Sequence, residues 1–172
     1  MACWPRPERA GVPVRLALLA ALVLSGCSRG EPAITVVALD AATAELPQLL
    51  LRISLPDAVR DGLERGVALS FRLDVDDAAG RHQAWRELRY LPLTRQYQVR
   101  GPTDGYRRSY DSRAGALAAL ERWPLPAGVD APTQLRLRLD NTRLPAPLVL
   151  PALFDPDWRL DSGTTPWPPG QP

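Results

Sequence analysis

Lysine is absent from this chain; all 21 basic residues are arginine. That pattern reads as the codon usage of a GC-rich genome rather than as a binding surface. Histidine occurs once, at His82, and cysteine twice, at Cys3 and Cys27. With so few nitrogen and sulfur ligands, a tight transition-metal site would lack its usual donors. A catalytic role for His82 would need a nucleophile and an orienting acid beside it. No Gly-x-Ser-x-Gly elbow supplies one, and no glycine-rich phosphate loop is present. No apolar run approaches the roughly 20 residues of a spanning helix.

The N-terminus is more informative. Arg6, Arg9 and Arg15 precede an uncharged apolar run, Leu16–Leu24, and then Ser25-Gly26-Cys27. A basic flank, a short apolar segment and small residues predict a secretory signal over residues 1–26. The Leu24-Ser25-Gly26-Cys27 tetrad resembles the lipobox of bacterial lipoproteins. That resemblance implies cleavage between Gly26 and Cys27 and lipidation of the Cys27 thiol. The expected mature chain is residues 27–172. Its formal charge falls from +2 to 0, because the signal carries three Arg and Glu8. No net field remains to draw nucleic acid or acidic lipid. Cys3 leaves with the signal, so no disulfide or thiolate chemistry is expected. Residues 27–33 form the anchor and tether; Ser28–Pro32 spans at most about 18 Å. Ser28, rather than Asp, after the lipidated Cys favours the outer over the inner membrane, on the periplasmic face.

Residues 34–162 are read as one β-rich domain and 163–172 as a proline-rich, extended or disordered tail. Strands are expected at Ile34–Leu39 and Leu49–Ser54. Ser54, Asp57 and Gly66 then bracket a short helix over Ala58–Arg65. Val67, Leu69, Phe71, Leu73 and Val75 alternate with small, polar or charged residues, the strongest strand signal in the chain. Asp76–Gly80 reads as a hairpin turn, a calcium loop being disfavoured by the missing closing glutamate. Arg81–Tyr90 and Thr94–Arg100 are the next strands. Asp111 or Ser112 caps a second helix running through Arg122. Leu135, Leu137 and Leu139 define another half-buried strand. Leu148–Leu153 reads as an edge strand bounded by prolines, and Trp158–Leu160 as a last one. This pattern predicts an antiparallel β-sandwich, immunoglobulin-like in general architecture, with two short helices; the alternative is an α+β sheet with both helices on one face.

Arginine and aromatic residues crowd the Trp85–Tyr110 stretch. These types are enriched at interface hot spots. Trp85, Arg89, Arg95, Tyr97, Arg107 and Arg108 are therefore the candidate partner surface. The same types suit single-stranded nucleic acid, but an exported lipoprotein seldom meets it. Scattered carboxylates leave a hydrolytic pair open as the less favoured alternative. No catalytic residue, cofactor or metal is assigned.

Four segments carry a family resemblance. They are Ala58–Phe71, Leu88–Tyr97, Leu135–Leu148 and Trp158–Ser162. Together they resemble the proteobacterial exported domain-of-unknown-function family 4390. The resemblance implies export and one fold unit, and, through the nitrogen-regulation-type sensor kinase that accompanies the family, envelope signalling. Gly163–Pro166 stand between Ser162 and Trp167, where family members more often have an aromatic at once. Members commonly carry plain signal peptides, so the anchor rests on Leu24–Cys27 alone. The expected function is a lipid-anchored periplasmic binding or accessory protein with an envelope protein partner. The alternative is a sensory partner of an envelope histidine kinase.

Overall fold

Alternation of apolar and polar residues writes most of this fold directly. The computed structural model describes residues 33–40, 48–102 and 104–167, which fall in one compact unit. Gly26, Cys27 and most of the tether lie outside the described residues. Strands β1 (Ile34–Asp40) and β2 (Gln48–Ile53) come first, then helix α1 (Asp57–Glu64). The expected Ser54 cap is not made: Pro56 flanks the helix start and no side chain caps it. Gly62 has a packing reason. A methyl group there would lie 2.8 Å from the ring of buried Trp158, so only glycine admits the indole against α1.

Strands β3 (Leu69–Asp77), β4 (Gly80–Leu91), β5 (Gln96–Gly101) and β6 (Tyr106–Tyr110) form a meander. His82 lies on β4 and is half-buried. Helix α2 (Arg113–Leu120) is capped by Ser112, whose Oγ accepts from the Gly115 N–H at 3.2 Å. It stops short of Arg122, and β7 (Arg122–Pro124) follows where the helix was expected to continue. Strand β8 (Gln134–Leu139) matches its expectation.

The segment expected as a strand at Leu148–Leu153 is helix α3 (Ala146–Phe154). A continuous apolar run has no period to separate the two. Here Leu148 and Ala152, four apart, turn toward the core, while Leu150, Leu153 and Phe154 face outward, Phe154 at 81 % exposure. Trp158–Leu160 is not a strand either. Pro156–Trp158 is a 3-10 turn, with one bridge between Arg138 and Asp161 beyond it. Within the expected extended or disordered tail, β9 (Thr165–Pro166) is extended and pairs with β8. Among the described residues no helix is long and apolar enough to cross a membrane.

Among the described residues nine strands make two antiparallel sheets, ordered β1-β2-β7 and β6-β5-β4-β3-β8-β9. Their architecture is mainly β, as expected, with three short helices instead of two and no barrel among the described residues. Register aligns Leu69 with Leu88, Leu88 with Val99, and Phe71, Leu73 and Val75 with Leu139, Leu137 and Leu135. These residues form the inner face of the large sheet, every one of them buried. Each buried Leu, Val or Phe contributes about 1.5–3 kcal/mol over its exposed state. Leu49, Leu51 and Ile53 of β2, Val59 and Leu63 of α1, Ala116 and Leu120 of α2, and Trp123 of β7 complete the same core. The small sheet is closed late in the chain. β7 pairs with β2, the Leu51 N–H donates to Glu121 O at 2.8 Å, and the Ile53 N–H donates to Glu121 Oε1 at 2.9 Å.

Candidate ligand-binding cleft

Leu88 faces the core, so period two delivers Arg86 and Ala84 to the same inner face of β4. Arg86 stands opposite Phe71 and is only 5 % exposed. A cation buried there destabilises the fold unless it is paired and hydrogen-bonded. Its Nη1 donates to Arg122 O at 2.9 Å and Ala119 O at 3.4 Å, carbonyls at the C-terminal end of α2 and just beyond it. Its Nη2 donates to Asp104 Oδ2 at 3.2 Å. The guanidinium carbon lies 4.4 Å from the Tyr106 ring centroid and 5.4 Å from that of Trp123, a cation–π arrangement on two rings. Asp104 is fixed in turn, its Oδ1 accepting from the Tyr106 N–H at 3.0 Å.

Two cavities meet at this arginine. The first, about 660 Å3, opens between β4 of the large sheet and Trp123–Val129, which continues from β7 of the small sheet. Its walls are mainly carbon, from Ala84, Trp123, Pro124, Leu125, Pro126 and Val129. The second, about 630 Å3, is bordered by Arg86, Asp104, Tyr106, Arg108, Tyr110 and Arg122. The Tyr106 and Tyr110 hydroxyls lie 2.7 Å apart. Burial, and then the hydrogen bond with Tyr106, push the Tyr110 phenol up to about 12, so it stays protonated at neutral pH. At the far end of β4, His82 Nε2 pairs with Asp77 Oδ2 at 3.0 Å. Desolvation pushes the Asp77 carboxyl up, but the N–H groups of Ala79 and Gly80 together with His82 hold it below its usual range.

The family model described as a domain of unknown function, DUF4390, matches residues 46–168. The chain belongs to the DUF4390 family. No curated protein and no solved structure matches it. The DUF4390 span takes in β2 through β9 and the residues bordering both cavities.

The DUF4390 fold does not bring the six candidate surface residues together. Trp85 and Arg89 project from the outer face of β4, and Arg107 from the outer face of β6. Arg95 sits in the β4–β5 turn with φ of 54°. Tyr97 is on the inner face, its ring 4.9 Å from that of Tyr90. Arg108, opposite Val99, is also on the inner side and borders the second cavity. Trp85 is half-buried beneath Arg143, whose guanidinium lies 5.4 Å from the indole. Arg86, Asp104, Tyr106, Tyr110 and Arg122 were not among the candidates. The signal for Arg86 was present: counting back by two from Leu88 puts it inside and its neighbour Trp85 outside.

Proposed function

We propose that this DUF4390 protein is a lipid-anchored binding module of the bacterial cell envelope that holds its ligand in the cleft between its two sheets. The observation that carries the reading is the cleft itself. It has the volume of a small-molecule or peptide site, mainly apolar walls and a few polar groups, His82, Gln83, Arg86 and Asp104. The lipobox at Leu24–Cys27 and the short tether support the placement on the periplasmic face. Each of the three described cavities borders a single carboxylate, Asp104 or Glu87. This supports binding over a paired-carboxylate hydrolase.

A photo-crosslinking residue at Ala127, exposed on the cleft rim, tests the reading in living cells beside Cys27→Ser. Capture of one dominant envelope component at Ala127, reduced in Cys27→Ser and absent from a crosslinker at Ser109 on the outer face of β6, is the expected result. Equal capture at both positions would remove the cleft from the reading. The alternative, a sensory partner of an envelope histidine kinase, draws on the same geometry. A ligand in the cleft touches β4 of one sheet and β7 of the other, so occupancy would bias the spacing between them.

A further inference from the structure

The two cavities differ in chemistry and share a border. Arg86, Asp104 and Pro124 line both. On the inter-sheet side the walls are mainly alanine, proline, leucine, valine and indole carbon, with His82 and Gln83 at the β4 side. The other side is lined by three arginines, Arg86, Arg108 and Arg122, and one carboxylate, Asp104. That imbalance attracts an anion, and guanidinium forks match carboxylate and phosphate oxygens. The paired Tyr106 and Tyr110 hydroxyls add a donor at the same wall. Arg86 is already held by two carbonyls and Asp104, whereas Arg108 and Arg122 are exposed at the rim. The fixed arginine therefore sets the border, and the two rim arginines are placed to receive a charge.

We infer that the joined site takes an anionic amphiphile, with an apolar chain between the sheets and a carboxylate or phosphate head among Arg108, Arg122 and the Tyr106–Tyr110 pair. This rests on the reading of the cleft as a ligand site and adds the ligand's chemical class. An acyl chain meets the carbon of Ala84, Trp123, Leu125, Pro126 and Val129, while His82, Gln83, Arg86 and Asp104 border the same cavity. Its head meets donors that would otherwise face water.

The test is titration of the full chain carrying Cys27→Ser, followed by tryptophan fluorescence and calorimetry, with four probes below their micellar concentrations. These are laurate, 1-lauroyl lysophosphatidate, dodecanol and acetate. Saturable binding of laurate or lysophosphatidate, at least roughly tenfold tighter than dodecanol and absent for acetate, is expected. The stronger of the two anions tells a free acid from a lipid headgroup. Arg108→Ala with Arg122→Ala, both exposed, should weaken the anion roughly tenfold and leave dodecanol unchanged. Leu125→Gln on the opposite wall should weaken every chain-bearing probe; an unaltered thermal melt separates this from unfolding. Equal affinity for laurate and dodecanol, or an unaltered anion affinity in the double arginine variant, would overturn the anionic head. Failure of all four probes would overturn the amphiphile while the Ala127 capture experiment independently decides whether the cleft binds anything.

Discussion

The two faces of the six-stranded sheet use the same residue, arginine, to opposite effect. On the outer face Arg72, Arg136 and Arg138 run across β3 and β8 and pair with Asp74 and Asp161 at the sheet surface. Asp74 is buried beneath those side chains, and Gln83 Nε2 donates to it at 2.8 Å. Arg136 and Asp161 both keep contact with water, so that pair adds little, whereas Arg72 and Arg138 compensate a buried carboxylate. On the inner face Arg108 is exposed at the β6 end, and Arg86 is buried among Leu69, Phe71, Leu73 and Leu88. It persists because three acceptors and two aromatic rings converge on it from four segments of chain. Register, not residue type, decides whether an arginine decorates this sheet or ties its layers together.

The contrast can be broken or sharpened in steps. Phe71→Ala removes inner-face packing opposite Arg86 and should cost about 3–5 kcal/mol in urea unfolding. Arg86→Met keeps the volume but leaves the Arg122 and Ala119 carbonyls without their donor; a loss of about 2 kcal/mol is expected. A neutral result would place Arg86 with the outer-face arginines and end the distinction. The Asp161–Arg136 pair gives an outer-face test by acid. Desolvation raises the Asp161 carboxyl, yet the hydrogen bond from Arg136, the Gly163 N–H and the Arg136 charge hold it below 3.8. A carboxyl lowered on folding stabilises above its unfolded value, and that contribution is lost as pH falls through the folded value. Asp161→Asn should therefore flatten the acid limb of stability below about pH 4, by less than ~1 kcal/mol for so exposed a pair. Arg138→Ala should move the urea midpoint least, within about 0.5 kcal/mol, since Arg72 and Gln83 remain at Asp74.

How much of this was legible depends on period. Leu69–Val75 and Leu135–Leu139 alternate cleanly, and both are strands with their apolar residues inside. Tyr106–Tyr110 reads Tyr-Arg-Arg-Ser-Tyr, without aliphatic alternation, and its strand character comes from pairing with β5. Arg122–Pro124 is three residues long and is a strand only because β2 lies beside it. Leu148–Leu153 carries no period, so its apolar run suits strand and helix alike, and it is a helix. The site is hidden in the sequence for a related reason. Clustering Arg and aromatic residues along the sequence picks Trp85 and Arg89 as readily as Arg86, whereas only the inward register assembles Arg86, Asp104, Tyr106, Arg108, Tyr110 and Arg122 at one place.

The late closure of the small sheet has a consequence in time. Trp123, which pairs with Leu49, follows it by 74 residues, and Glu121 brings the two acceptors that β2 uses. A chain that emerges N-terminus first presents β2 before the strand that covers its second edge. Until residues 121–124 arrive, the Gln48–Ile53 edge stands open to pairing with another chain, so the window for mispairing is set by that separation.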